Sequence, residues 1–239
     1  FYKGVFSKDV AEMTRRGEIG SFLHVLTPEE SNLLQKLAME SKLKIPLLIG
    51  IDAIHGNALV SGTTVYPSPI TLASTWTDSF LETIGKQTAK EMRVTGSQWT
   101  FTPNIDVLRD PRWGRVGETF GEDPLLVSNM GVSMIEGLQK NNDVIACAKH
   151  YVAGSEPING LNASPMDVSE RTLREIFLKP FKKAVEAGVY SIMTAHNELN
   201  GVPCHMNKYI IEHILRNEYN FKGFIVSDWM DIERIHTLH

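Results

Sequence analysis

Six apolar runs, at residues 19–26, 46–52, 99–105, 143–150, 189–196 and 223–228, alternate with stretches long and amphipathic enough to form helices. Parallel strands need long crossovers, and a helix is the usual one, so this alternation predicts a parallel sheet with right-handed βαβ connections. The runs are continuously apolar, as in strands covered on both faces. Helices are predicted at 78–95, 125–139, 169–187 and 207–217, with Phe80, Leu81, Ile84, Thr88 and Met92 on one side of the first. Another opens at Thr27-Pro28-Glu29-Glu30, which supplies an N-cap, a proline at the first position and an acid three residues on. Asp123-Pro124 likewise reads as a helix start. The expected fold class is α/β, a TIM-like (β/α)8 barrel. Such a barrel closes with eight strands and about six βα units are present, so residues 1–239 are expected to be a fragment of one barrel domain.

The ends of these runs carry polar side chains. They finish Asp52-Ala53-Ile54-His55, Asn104-Ile105-Asp106, Lys149-His150-Tyr151, His196-Asn197-Glu198 and Ser227-Asp228-Trp229. In parallel α/β folds the C-terminal strand ends open onto the ligand crevice, so five such endings predict one shared site. Asp228 stands out: a carboxylate beside an indole suits a sugar, the acid facing a cationic centre and the ring stacking on a pyranose face. The alternative for Asp228 is a helix cap.

Composition narrows the classes. A net charge of −4 implies no basic face for nucleic acid. No apolar run approaches the roughly 18 residues of a membrane span. Cys147 and Cys204 lack metal spacing, and Cys147 reads as a small core residue. Asp106, Asp110 and Glu118 match no metal cage and read as an ion-pair net, so neither metal nor cofactor is expected. His55 reads as a packed turn histidine, and the sequon Asn162-Ala163-Ser164, followed by Pro165, is weak evidence of glycosylation.

The segments Gly50-Ile51-Asp52-Ala53-Ile54-His55-Gly56, Thr102-Pro103-Asn104-Ile105-Asp106-Val107, Arg109-Asp110-Pro111-Arg112-Trp113-Gly114-Arg115, Cys147-Ala148-Lys149-His150-Tyr151 and Val226-Ser227-Asp228-Trp229 together resemble glycoside hydrolase family 3, in its order and spacing. The β-glucosidase branch matches best, from about Glu18 onward. The resemblance implies the N-terminal barrel domain of a retaining, exo-acting β-glycosidase that removes terminal non-reducing β-D-glucosyl residues from a β-glucoside or oligosaccharide. It implies that Asp228 is the nucleophile that forms the glycosyl-enzyme, and that Asp52, Arg115, Lys149 and His150 hold ring hydroxyls while Met193 and Trp229 line the pocket. Asp52 in place of the glutamate that the family's xylosidases tend to carry favours a hexose. A periplasmic or secreted location is also favoured by the resemblance.

Two departures stand out. His196 occupies a place where the family usually has a tyrosine near the nucleophile, and it is included among the substrate-binding residues. The acid/base glutamate of the glucosidase branch comes from a second, α/β-sandwich domain, which these residues do not include. The loop 152–157 lacks the His-Asp dyad of the N-acetylglucosamine branch, which excludes that specificity. Of the in-chain acids, Glu118 reads as structural, Glu156 as part of a loop and Glu198 as lying just beyond the fifth strand. A neighbouring cation, Lys149 or Arg115, is expected to keep Asp228 ionised. Two alternatives remain at this point: a non-catalytic sugar-binding fragment without an acid/base, and a Schiff-base aldolase using Lys149 at a strand end.

Overall fold

The computed structural model describes residues 7–141 and 144–238. Asp143, the first residue of the expected fourth strand, lies outside the described residues. The chain runs α1 (Lys8–Arg16), β1 (Ser21–Leu23), α2 (Pro28–Met39), β2 (Leu48–Ile51), α3 (Pro69–Ala73), α4 (Ser79–Thr95), β3 (Trp99–Thr100), α5 (Pro124–Gln139) and β4 (Cys147–Tyr151). It continues through α6 (Glu170–Thr172), a π-helical stretch Leu173–Phe177 and α7 (Leu178–Glu186) to β5 (Ser191–Thr194), β6 (Glu198–Leu199) and β7 (Val202–Pro203). A second π-helical segment, Tyr209–Glu218, leads to β8 (Phe224–Val226) and α8 (Asp231–Leu238).

Six strands are parallel and stand in chain order. One sheet is β1-β2-β3 and another is β4-β5-β8. Parallel bridges from Trp99 to Ile145 and from Asn104 to Lys149 carry the pairing from β3 across to the β4 segment. Each expected apolar run coincides with one of these strands, and each strand is shorter than its run; β4 starts later than expected and extends one residue past the run, to Tyr151. The first expected strand, 19–26, shrinks to three residues and leaves the sheet at His24, which has φ 56°.

The helix signals act as elementary chemistry dictates. Thr27 Oγ1 accepts the Glu30 N–H at 3.2 Å and Asp123 Oδ1 accepts the Leu126 N–H at 2.8 Å, so both caps satisfy an otherwise orphaned donor. The 78–95 stripe buries Leu81, Ile84, Thr88 and Met92, but Phe80 faces solvent at 52% exposure, one position off the buried face. The amphipathic helices cover the outer side of the sheet, and Ile51, Ile105, Ala148 and Ile192 join their buried side chains in one large core. On the opposite side, Trp99, Phe101, Cys147 and Met193 form a separate cluster with Leu23 and Val226 packed against it.

Helices α4 and α5 touch through glycines. A Cβ on Gly137 would collide with the Glu82 carbonyl oxygen, and one on Gly85 would stand 2.9 Å from the Met134 carbonyl oxygen. Backbone cannot retreat as a flexible side chain can, so Gly137→Ala is expected to destabilise the fold by about 1–3 kcal/mol despite alanine's better helix propensity. Urea denaturation followed by circular dichroism measures this; a midpoint equal to or above wild type contradicts it.

Candidate active site

A cavity of about 800 Å³ opens at the C-terminal ends of the parallel strands. Asp52, Arg115, Lys149, His150, Met193, Asp228 and Trp229, all singled out from the sequence, line it together. Trp99, Phe101 and Met193 give it an apolar floor. The Trp99 indole is anchored there, donating from Nε1 to Ser191 Oγ at 2.9 Å. Trp229 stands at the rim, 57% exposed, with its face available to a planar or ring-shaped ligand. Pairing between β4 and β5 shifts register between Ala148 and Tyr151. That irregularity lets the consecutive residues Lys149 and His150 both reach the cavity, although alternate residues of a regular strand face opposite sides.

Asp52 is gripped on both oxygens. Lys149 Nζ, only 4% exposed, donates to Oδ1 at 2.9 Å, and His24 Nε2 lies 3.0 Å from Oδ2. Burial raises the Asp52 pKa, but His24 and the Lys149 ammonium outweigh it and hold the carboxyl down to about 2. A carboxylate has about four lone-pair sites, so two remain to accept ligand hydroxyls. His24 lines the cavity and was not singled out from the sequence. Its signal was there: it is the polar residue at the outlet of the first strand.

Asp228 follows β8 on the adjoining wall. Its Oδ2 lies 3.1 Å from His196 Nε2 and 3.7 Å from His150 Nε2, while Oδ1 accepts the Trp229 N–H at 2.7 Å. Burial pushes its pKa up, but the close approach of His196 and the charge of His150 outweigh that and leave it far below the usual carboxylate range. His196 and His150 are thus the groups nearest its buried oxygen; of the expected countercharges, Lys149 is committed to Asp52, while Arg115, paired with Glu118, also feels the charge of Asp228. His150 is buried, donates from Nδ1 to Asp106 Oδ2 at 2.8 Å and turns Nε2 toward Asp228. Its pKa is lowered, first by burial, against the pull of Asp106.

His196 takes a different place from the one expected. It lies outside the residues that line the main cavity and stands behind Asp228, with Nδ1 2.7 Å from Asp231 Oδ2. Asp231 and His205 belong to the same cluster and were not read from the sequence; both lie in helical segments beyond strand outlets, where the pattern of strand endings gives no signal.

The charged loop between β3 and α5 holds its own shape. Arg115 pairs with Glu118 through Nη2–Oε2 at 2.7 Å and Nε–Oε1 at 2.9 Å, and Arg112 pairs with Asp110 at 2.6 Å. With Asp106 on His150, each acid of the Asp106, Asp110 and Glu118 cluster has its own partner. Burial raises the Glu118 pKa but Arg115 brings it below the ordinary value. Asn162, the sequon asparagine, accepts the Trp113 indole N–H at 2.8 Å. His55 Nδ1 lies 3.3 Å from the Tyr66 carbonyl oxygen, a turn contact. Glu156 faces Arg109 at 3.7 Å and Glu198 sits in the β6–β7 hairpin; neither lines the main cavity.

A parallel α/β fold with ionised carboxylates and an exposed indole at the strand outlets is the class defined so far. Residues 4–239 match the model of the glycosyl hydrolase family 3 N-terminal domain, and the chain belongs to that family. It is similar to a β-xylosidase of Formosa agariphila, 44% identical over 237 residues that cover 93% of this chain and 33% of that protein. Among solved structures it is similar to a β-glucosidase involved in saponin metabolism from intestinal bacteria, with TM-score 0.90 and 36% identity over 95% of this chain and 31% of that one. It is also similar to a β-glucosidase from Listeria innocua in complex with glucose, with TM-score 0.86 and 33% identity over 91% of this chain and 31% of that one. The chain spans 27–33% of the length of these and other curated relatives such as the periplasmic β-glucosidase of Salmonella typhimurium. No helix among the described residues is long and apolar enough to cross a membrane.

Proposed function

We propose that this domain carries the glycone site and nucleophile of a retaining β-glycosidase, with glucose as the favoured sugar. The observation that carries the reading is a pair of deeply ionised carboxylates, Asp52 and Asp228, sharing one aromatic-rimmed cavity. Asp228 attacks the anomeric carbon, and the developing charge on the ring is matched by its carboxylate. Asp52 and Lys149 bind hydroxyls at the far side of the ring, Arg115 and His150 bind others, and Trp229 covers a ring face. His196 is assigned to Asp228 rather than to the sugar.

Retaining hydrolysis also needs a proton donor about 5–5.5 Å from the nucleophile. Of the other cavity-lining acids, Asp52 and Glu118 are each held ionised by a cation, the opposite of what a general acid needs. The proton donor is therefore assigned outside the described cavity lining, in keeping with a fragment of a longer barrel domain and a second domain that supplies the acid. The Schiff-base alternative is disfavoured because Lys149 is committed to Asp52 instead of standing free in an apolar pocket. The sugar-binding alternative gives the same equilibrium binding but no covalent adduct.

A β-xylosidase is the second reading, and the 44% identity to the Formosa agariphila protein favours it. The two are separated with 2,4-dinitrophenyl β-D-glucoside and the matching xyloside, whose leaving group departs without protonation. Glucose preference predicts dinitrophenolate release from the glucoside at roughly tenfold or greater kcat/KM, the worth of one well-placed hydroxymethyl contact. The reverse order selects the xylosidase reading.

A further inference from the structure

The buried cluster behind Asp228 uses His196 in a way that its two ring nitrogens decide. Nδ1 lies 2.7 Å from Asp231 Oδ2 and Nε2 lies 3.1 Å from Asp228 Oδ2. Both neighbours are carboxylates, which only accept. Only the Nδ1 contact is a hydrogen bond; Asp228 Oδ2 is buried and accepts none, and Nε2 stands beside it at ion-pair distance. A neutral ring that gave its one N–H to Asp231 would set a bare nitrogen lone pair against the Asp228 anion, whereas an imidazolium places positive charge against both carboxylates. His205 differs. Its Nε2 accepts the Asp228 backbone N–H at 3.1 Å, which requires that nitrogen to be unprotonated, although Asp231 Oδ2 is 3.4 Å away.

Resting on the reading of Asp228 as nucleophile, we infer that Asp231 and His196 are positioning residues for it: Asp231 holds His196 as an imidazolium whose charge, 3.1 Å away at Nε2, balances and holds the Asp228 carboxylate. A cation beside the carboxylate favours its charged form and so keeps it ionised. Asp231 is well placed to do this. Its carboxyl is buried, its Oδ1 accepts from Arg234 Nη1 at 3.0 Å, and it belongs to α8, which begins three residues after Asp228.

The charged groups around His196 come from every side. Asp228 stands at the β8 outlet, Asp231 and Arg234 on α8, His205 in the Cys204–Met206 turn and Glu198 on β6. Asp106, His150 and Arg115 share a small cavity with it on the β3–β4 side. Burial lowers the His196 pKa, but the two carboxylates outweigh it and raise it. A raised folded pKa makes the imidazolium's contribution complete below the ordinary value of about 6.5, and it is lost as pH rises through the raised one.

The test is covalent labelling of the full chain by 2,4-dinitrophenyl 2-deoxy-2-fluoro-β-D-glucopyranoside from about pH 5 to about pH 9, with the site read by peptide mass mapping. Attack forms the bond from the carboxylate oxygen to C1, and dinitrophenolate leaves with the electron pair. His196→Gln and Asp231→Asn are each expected to slow labelling about tenfold to a hundredfold, at the low end of the coupling between close charge pairs, with the half-saturating concentration within about twofold. The wild type loses rate on the alkaline side, and His196→Gln loses that limb. ¹⁵N-edited NMR of the histidine rings, which needs no labelling, should give His196 a pKa above the ordinary value that falls in Asp231→Asn. Equal rates and pH profiles in all three proteins, with Asp228 labelled, overturn this inference alone. A His196 that titrates at the same pH in wild type and Asp231→Asn also overturns it. A wild-type adduct on a residue other than Asp228 overturns the nucleophile reading, and the inference with it.

Discussion

Asp228→Asn is expected to lower dinitrophenolate release from 2,4-dinitrophenyl β-D-glucoside by about four orders of magnitude or more, while glucose binding by calorimetry stays within about tenfold of wild type. The substitution removes the attacking oxygen's charge but keeps the side chain's shape. It also leaves the cluster of His196, His150 and His205 without the anion that it surrounds. Binding survives because the hydroxyl contacts come from other walls of the cavity. A variant that releases dinitrophenolate at a rate near wild type contradicts the assignment, since the other acids that line the cavity, Asp52 and Glu118, each accept hydrogen bonds directly from a lysine or an arginine.

The second large effect belongs to Asp52. Asp52→Asn removes two charge-assisted acceptors for ligand hydroxyls and should lower kcat/KM by roughly 10²–10⁴, at about 1.5–3 kcal/mol for each hydrogen bond to a charged group. It also strands Lys149, which is 4% exposed and donates to Asp52 at 2.9 Å. Leaving that buried donor without its anion should cost about 1–3 kcal/mol of stability, read as a lower urea midpoint. The double variant with Lys149→Met should regain part of the stability and none of the activity, since both partners of the pair are then removed together. A pH series adds a check with a defined sign. The Asp52 carboxyl is held down to about 2, so its support is present above the ordinary carboxylate value of about 3.9 and is lost as pH falls toward the folded one.

The fold was largely legible because apolar periodicity and turn chemistry are local. The six runs located the six parallel strands, and Thr27, Asp123 and Ser169 marked helix starts where their side chains do accept backbone N–H groups. The β6–β7 hairpin was equally legible and was missed: Asn200-Gly201, with φ of 51° and 79°, is a strong two-residue turn signal, hidden within a segment judged only by what ended the fifth strand. Phe80 was misassigned because a helical stripe drawn from one residue too early includes a solvent-facing position.

The site divided along the same line. Side chains at strand outlets converge because the sheet carries them to one face, and that rule requires only knowing where strands end. Which charges pair across the cavity does not follow from it. Lys149 reaches Asp52 from 97 residues away, and His196, not Lys149, stands beside Asp228. Asp231 and His205 escaped for a related reason: their partners are fixed by three-dimensional register, and no short spacing in the chain announces it; His24, directly after the first strand, was legible by the outlet rule and was passed over.

Mass mapping of the chain after exposure to the 2-fluoroglucosyl reagent tests most directly whether these outlets surround one pyranose with a carboxylate at its anomeric carbon. A single added fluoroglucosyl mass on the peptide containing Asp228, prevented by excess glucose, is the predicted result. Attachment to another residue, or an unmodified protein that still binds glucose, contradicts it.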